Sequence, residues 1–476
     1  MNLKSQLQDW GIMLLILGWF FYVLLPYGPA VTFDSVSFLE AGNHFWAGEG
    51  FMHTGSNGPE FAAHRFPLYP IILSLFDGSN SSLIALQVLI FAGSLFLYYQ
   101  VLKLLKAPTV FLFLFAFMMV LLNYYCLWTE SLYGLLFIGL LFVLVRQQSD
   151  QLLWVVLILS LLCLTRMVGL VVGGSLFLSF LFSRNKRNAW IVLFSSLVVI
   201  GSWTALGTVY LGQTARSIEW HPIDGIDVLH LLEAIGSFFV PPTEYPSIRM
   251  FVGIILLTLP IIKLLIQLKK RGDRNVFQWF LHTHLLAYPV FLLISKSMID
   301  VSIPFEFRTL LPFYLTYACW IATIFSGDDK IKNRLSVALI TPFLVWNLFS
   351  VKEIKNQGLG YNSSYWESHD FEPLKSYQKQ FVITNDQAAC IYWMEPKATV
   401  HVLAEKQNLY SGLINELYQE ELDAQLSLID HQNGLIVWFR NGITAAIYLS
   451  EQELRDPGRF ELLHDGGIYL LARPLP

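Results

Sequence analysis

Over the first 350 residues apolar side chains come in long, nearly unbroken runs, not at alternate positions or on one helical stripe. A helix that crosses a bilayer needs about 20 mostly apolar residues, because the hydrocarbon core is about 30 Å thick. Runs at 10–25, 82–102, 108–122, 130–145, 152–164, 168–182, 189–211, 250–268, 276–294, 307–325 and 335–349 meet or approach this requirement, predicting about 11 transmembrane helices. The shortest pair flanks Arg166, and a twelfth span would follow if 67–76 or 228–240 enters the membrane. The first run lacks a small-residue cleavage site and is followed by Pro26-Tyr27-Gly28-Pro29, so it reads as an uncleaved helix and not as a signal peptide.

The pattern changes after about Val351. Charges become frequent and apolar runs shrink to strand length at 381–384, 435–439 and 445–449, with helical spacing between them at 411–427. The expected organisation is a transmembrane domain, 1–350, with outer loops at 26–81 and 212–247. A linker and a small α/β domain outside the membrane would occupy 351–476. No internal repeat or low-complexity stretch stands out.

Composition agrees. Charged residues are 14% of the 476, hydrophobic ones 55%, and the mean hydropathy is +0.52. Ordinary soluble domains carry about 25% charged residues, so so few charges would not cover the surface of a soluble enzyme of this length. Disorder is excluded by the high hydrophobicity. The net charge of −4 gives no support for a nucleic-acid partner. Cys126, Cys163, Cys319 and Cys390 show no CxxC spacing and read as small apolar side chains.

The placement of the cations is more informative. With a cytoplasmic N-terminus, thirteen fall in inner connections: Lys103, Lys106, Arg146, Arg184, Lys186, Arg187, Lys269, Lys270, Arg271, Arg274, Lys330, Lys332 and Arg334. Only six, Arg65, Arg166, Arg216, Arg249, Lys296 and Arg308, fall in outer ones. The positive-inside rule supports this orientation and places the C-terminal domain outside. The outer cations are single residues near helix ends, where ionisable groups are costly and become functional candidates.

The first outer loop carries Asp34 just after the first run, then amphipathic spacing over 35–46 with Phe38, Ala41, Phe45 and Trp46 on one face, suited to lie along a membrane. Spacing leaves two readings of Asp34: a helix N-cap or a general base at the membrane surface. Glu130 opens a helix, where a carboxylate meets the positive end of the dipole.

Several motifs occur in order. They are the Asp34 loop with Gly48-Glu49-Gly50-Phe51 and Phe66-Pro67-Leu68-Tyr69-Pro70, then Trp128-Thr129-Glu130-Ser131-Leu132. Leu164-Thr165-Arg166-Met167-Val168-Gly169-Leu170 and Glu306-Phe307-Arg308-Thr309-Leu310-Leu311-Pro312 follow, then Gly358-Leu359-Gly360-Tyr361-Asn362 with Trp366. Over about residues 10–370 this set resembles the multi-span glycosyltransferases of the GT-C fold, in particular the bacterial dolichyl-phosphate-mannose mannosyltransferase and aminoarabinose transferase group. The last hundred residues match loosely.

The resemblance implies an inverting transfer of one sugar from a polyprenyl-phosphate carrier to an acceptor, lipid, glycan or protein, at the outer face of a bacterial inner (plasma) membrane. Asp34 would be the general base, and Glu130 a second carboxylate that orients the acceptor or binds sugar hydroxyls. Departure of a lipid phosphate needs cations where charge develops, and the arginine fork can pair two phosphate oxygens. Arg308, Arg166, Arg216 and Lys296 are the candidates. Each also has an ordinary reading: a salt bridge with Glu306 for Arg308, a helix-end snorkel for Arg166, a solvated loop charge for Arg216, and a pair with Asp300 for Lys296. Tyr69, Glu219 and His221 are expected loop contacts to substrate.

His44, His53 and His64 alternate with Glu40, Glu49 and Glu60, but no tight ligand spacing occurs. Some members of the resembled group use paired acidic residues for a divalent ion; here Asp34 is followed by Ser35 and Val36, with no DxD motif, so no cofactor is expected, with a divalent metal as the alternative. His282 and His284 are about 200° apart on a helix and are set aside. Asn80-Ser81-Ser82 and Asn362-Ser363-Ser364 are glycosylation sequons by pattern. The competing class is a transporter, flippase or non-catalytic binder of polyprenyl lipids. Transporters would show inverted repeats and broken helices in matching halves, and neither is evident.

Overall fold

The computed structural model describes residues 3–475 except 56–57, 64, 77–78, 147–149, 212–219, 221, 243–244, 270–274, 299–304, 328, 397–399, 408–413 and 441–446. The chain divides into two compact units: Met1–Pro29 with Ala63–Asn356, and Ala30–Ala62 with Gln357–Pro476.

The first unit is helical. Ten of the eleven apolar runs each lie on one α-helix: Leu3–Leu24, Asn80–Leu105, Thr129–Arg146, Gln151–Thr165, Gly169–Phe182, Lys186–Leu211, Pro246–Lys269, Val276–Met298, Phe307–Ile324 and Lys330–Gln357. The run at 108–122 differs. Thr109–Ala116 is a 3-10 helix, Phe117 is extended, and Met118–Tyr125 is a short α-helix. A uniformly apolar run indicates burial without choosing the backbone that achieves it. Among the described residues, seven helices are long and apolar enough to cross a membrane, and this is an integral membrane protein. The two helices flanking Arg166 have 15 and 14 residues, so each is shorter than a perpendicular span. The helix Gly225–Gly236, within the expected second outer loop, packs closely on Pro246–Lys269.

The second unit is built on a five-stranded sheet. Its strands are β3 (Val382–Thr384), β4 (Val400–Val402), β5 (Leu435–Phe439), β6 (Phe460–Asp465) and β7 (Tyr469–Pro474), in the order β4-β3-β5-β7-β6. β3 runs parallel to β4 and β5, and β7 antiparallel to β5 and β6. β3 and β5 are buried at every position, as expected for strands covered on both faces. On one face Ile383, Ile436 and Trp438 pack with Leu422 and Ile429 of the helix Tyr418–His431. On the other, Phe439 meets Trp366, and Tyr469 meets Phe371. β3 and β5 match the expected strands. The helix expected at 411–427 is Tyr418–His431, with 411–413 outside the described residues. The strand expected at 445–449 is not one over 447–449, where the chain turns, and 445–446 lie outside the described residues. β4, β6 and β7 carried no clear alternation and were not anticipated.

The expected grouping of the whole first loop with the membrane domain needs correction. Residues 30–62 belong to the second unit, whose other segment starts at Gln357. The helix Phe33–Trp46 packs on Gln387–Met394, and the hairpin β1 (Met52–Gly55)–β2 (Gly58–Phe61) packs through β1 on β4. The physical reason is apolar burial: Val36, Phe38 and Ala41 are buried, so they are not a membrane-facing stripe, while Phe33, Phe45 and Trp46 stay exposed.

Close helix packing in the first unit rests on glycine. A Cβ on Gly253 would lie 1.9 Å from the Leu232 carbonyl oxygen, and one on Gly236 would lie 1.8 Å from that of Arg249. Gly174 has open space around it. Gly253→Val is therefore expected to destabilise by about 1–3 kcal/mol through overpacking. Gly174→Ala should be neutral or stabilising, by up to about 1 kcal/mol of helix propensity. Apparent unfolding temperatures of the detergent-solubilised variants read the difference; equal temperatures would refute the contact.

Candidate active site

Glu130 is the second residue of its helix and its side chain is fully buried. An isolated ionised carboxylate cannot be buried cheaply, so it must be paired and hydrogen-bonded. Three groups meet it. Arg308 donates through Nε to Oε1 at 2.7 Å, Arg166 forms an ion pair with the same oxygen, and Thr129 Oγ1 donates to Oε2 at 3.0 Å.

Local structure explains why these side chains converge. Arg166 caps the helix Gln151–Thr165 in an extended conformation. Its carbonyl accepts from the Gly169 N–H at 3.0 Å, so the chain turns there into the next helix. A Cβ on Gly169 would come within 2.8 Å of Cys163 Cα, so the turn requires glycine. Arg308 is in the first turn of Phe307–Ile324, whose N-cap is Glu306 with Thr309 in a capping box. Asn123 Nδ2 donates to the Phe307 carbonyl at 3.1 Å, and the Tyr288 hydroxyl donates to that of Thr309. The Arg308 guanidinium also lies 4.6 Å from the centre of the Trp128 ring, which stacks on Phe307. Cation–π contact and ion pairing together fix its plane.

The side chains of Arg166 and Arg308 remain 23% and 24% exposed, while that of Glu130 is 0%. The accessible side of the cluster is thus guanidinium, with the carboxylate behind it. Glu306 lies within electrostatic range of Arg308; burial raises its carboxyl above the ordinary value, and Arg308 acts against that rise. Glu130 and Arg166 line a narrow recess with Tyr133, Tyr288, Val168, Leu311 and Pro312.

Tyr69 is fully buried beside this cluster. Its hydroxyl accepts from Gln87 Nε2 at 3.4 Å and interacts with Ser131 and Glu130, and burial pushes its phenol above the ordinary range. Gln87 Nε2 also donates to the Cys126 carbonyl at 3.0 Å.

Four of the nine residues singled out from the sequence, Tyr69, Glu130, Arg166 and Arg308, therefore come together. The salt bridge given as the ordinary reading of Arg308 is present, with Glu130 as a partner and Glu306 within electrostatic range. Lys296 pairs with Asp227 at 3.3 Å and lies over the Phe305 ring; Asp300, its expected partner, lies outside the described residues, as do Arg216, Glu219 and His221. Asp34 belongs to the second unit. The N-cap of its helix is Thr32, whose N–H donates to Ser35 Oγ at 3.0 Å, so the capping reading of Asp34 is corrected: Asp34 stands inside the first turn. There it is an electrostatic neighbour of Tyr361.

Sequence reasoning missed Tyr133 and Tyr288. Tyr133 follows Glu130 by three residues on one helix and shares its face, a usable signal; Tyr288 sits in an apolar run without one. Among the described residues no group of three His, Cys, Asp or Glu side chains is arranged to hold a metal. His44 pairs with Glu49, and His53 with Glu60 at 3.4 Å.

No family model and no curated protein sequence matches the chain. Two crystal structures of ArnT from Cupriavidus metallidurans do match its fold. One, bound to undecaprenyl phosphate, superposes with a TM-score of 0.58 at 12% identity, covering 99% of this chain and 98% of that one. The apo form gives 0.61 at 11% identity, covering 98% and 97%. The GT-C-like architecture with a small C-terminal sheet domain, expected from the motifs, is thus shown over nearly the whole length.

Breaking a buried ion pair from one side typically costs 3–5 kcal/mol. Glu130→Ala, which leaves two guanidiniums without their buried counter-ion, is expected to lower stability by about that much. Lys375→Ala removes an exposed pair with Glu372 and should change it by no more than about 1 kcal/mol. Comparable unfolding temperatures for the two variants would show that the cluster does not hold the helices.

Proposed function

We propose that the chain is a membrane glycosyltransferase that takes its sugar from a polyprenyl-phosphate-linked donor. One observation carries the reading: two partly exposed arginines are backed by a buried carboxylate, which with one of them, Arg166, lines a small recess. It lies in a chain that shares its fold with ArnT, one structure of which holds undecaprenyl phosphate. Two guanidiniums suit a phosphate better than a sugar hydroxyl, because each can donate two parallel hydrogen bonds to its oxygens.

In the proposed step the Asp34 carboxylate takes the proton of an acceptor hydroxyl, and the acceptor oxygen bonds to the anomeric carbon. The bond from that carbon to the phosphate oxygen breaks, its electron pair leaves with the lipid phosphate, and attack from the opposite side inverts the anomeric centre. Arg308 and Arg166 stabilise the charge on the leaving phosphate. Glu130 holds both arginines in place. Lys296 and the loop residues Arg216, Glu219 and His221 add contacts to the donor headgroup, and Tyr69 supports the Glu130 end of the recess. The site works on the outer face of a bacterial inner membrane, with the N-terminus cytoplasmic. As in the sequence reading, no step uses a metal ion.

The test is release of free lipid phosphate from undecaprenyl-phosphate-linked sugars by the purified protein. Asp34→Asn is expected to lower turnover by about 10²–10⁴-fold, the range of general base catalysis. Equal turnover would remove Asp34 as the base. Wild-type protein that binds these lipids but turns over none would mark a binder or transporter.

A further inference from the structure

The motif Gly358-Leu359-Gly360-Tyr361-Asn362 takes no part in the chemistry above, yet it grips the chain three residues before Asp34. Val31 forms an isolated parallel bridge with Gly360. The Tyr361 N–H donates to the Val31 carbonyl at 2.7 Å, and the Val31 N–H donates to Asn362 Oδ1 at 3.0 Å. Both backbone groups of Val31 are thereby held by one short segment. Gly360 has φ +74°, and a Cβ there would stand 2.1 Å from the Val31 carbonyl oxygen. The contact therefore needs glycine for both conformation and space.

The grip is itself anchored. Tyr361 donates through its hydroxyl to Asp386 Oδ1 at 2.9 Å, and the same oxygen accepts the Ala389 N–H at 2.9 Å as N-cap of the helix Gln387–Met394. Asp386 directly follows β3 and Asn385, whose side chain bonds both the N–H and the carbonyl of Phe439 at the end of β5. The helix Phe33–Trp46, which carries Asp34, packs on Gln387–Met394. Asn362 is 6% exposed and its Oδ1 is engaged, so this sequon serves the fold and not attachment of a glycan.

We infer that residues 358–362 are a brace that holds the Asp34 loop to the C-terminal ends of β3 and β5 in the C-terminal sheet, making Gly360 and Asn362 positioning residues for Asp34. The inference rests on the proposed role of Asp34 as base. Placement matters because displacement of a reacting group by about 1 Å can cost about 10²-fold in rate.

The experiment uses the full-length protein and two readouts. Amide hydrogen exchange over residues 31–36 reports the brace; kcat and the donor KM for lipid-phosphate release report its use. Asn362→Leu removes the acceptor of the Val31 N–H, and Asn362→Asp keeps one. Asn362→Leu is expected to speed exchange over 31–36 and to lower kcat at least tenfold with KM within twofold. Asn362→Asp should restore both towards wild type. Gly360→Ala should behave like Asn362→Leu where it folds. Unchanged exchange in Asn362→Leu, or faster exchange with wild-type kcat, would overturn the brace. Wild-type protein with no turnover would instead overturn the transferase reading, and the exchange result would still decide whether the segment is held.

Discussion

The buried carboxylate of Glu130 is the constraint on which the helical unit turns. Placing an ionised group at zero exposure inside an apolar bundle is sustainable only with charged partners at hydrogen-bond distance. Those partners come from positions 166 and 308, so the ends of three helical segments must meet at one level. Arginine suits the task better than lysine because its planar fork can hold a carboxylate, stack on Trp128 and still present an edge outward. The short helices on either side of Arg166 follow from the same need, since the chain must reverse where the guanidinium reaches Glu130.

Much of this fold was legible from apolar run length alone. Run length reports burial or lipid contact, which is why ten runs became ten helices. The run at 108–122 failed because hydrophobicity without a period does not distinguish a continuous helix from a 3-10 segment broken at Phe117. Arg166 and Arg308 were visible as solitary cations at helix ends. Their common partner was not, because Glu130 and Arg308 are 178 residues apart and nothing in local spacing encodes the meeting. Lys296 likewise pairs with a distant carboxylate, Asp227 of another helix.

The second unit shows why a loop can belong to a domain three hundred residues away. The link between 31 and 360–362 is made mainly by backbone groups and one amide side chain, and backbone hydrogen bonds leave little trace in residue type. The trace that remains is glycine, demanded at 360 by a left-handed backbone and by the approach of Val31. The grouping of 30–62 with the outer loops of the membrane domain therefore followed the order of the chain, whereas burial of Val36, Phe38 and Ala41 follows packing.

The two carboxylates singled out from the sequence sit in different settings. Both oxygens of Glu130 already accept, one from two arginines and the other from Thr129. A group so engaged has its acceptor positions filled by structural partners. Its value lies in aiming two guanidiniums. The chain around the other carboxylate, Asp34, is held mainly by backbone groups. Asp34 stands half-buried in the first turn of a helix whose entry is fixed at Thr32 by Ser35 and at Val31 by residues 360–362. At Glu130 the carboxylate itself fixes its neighbours, whereas at Asp34 a distant backbone segment fixes the chain that carries the carboxylate.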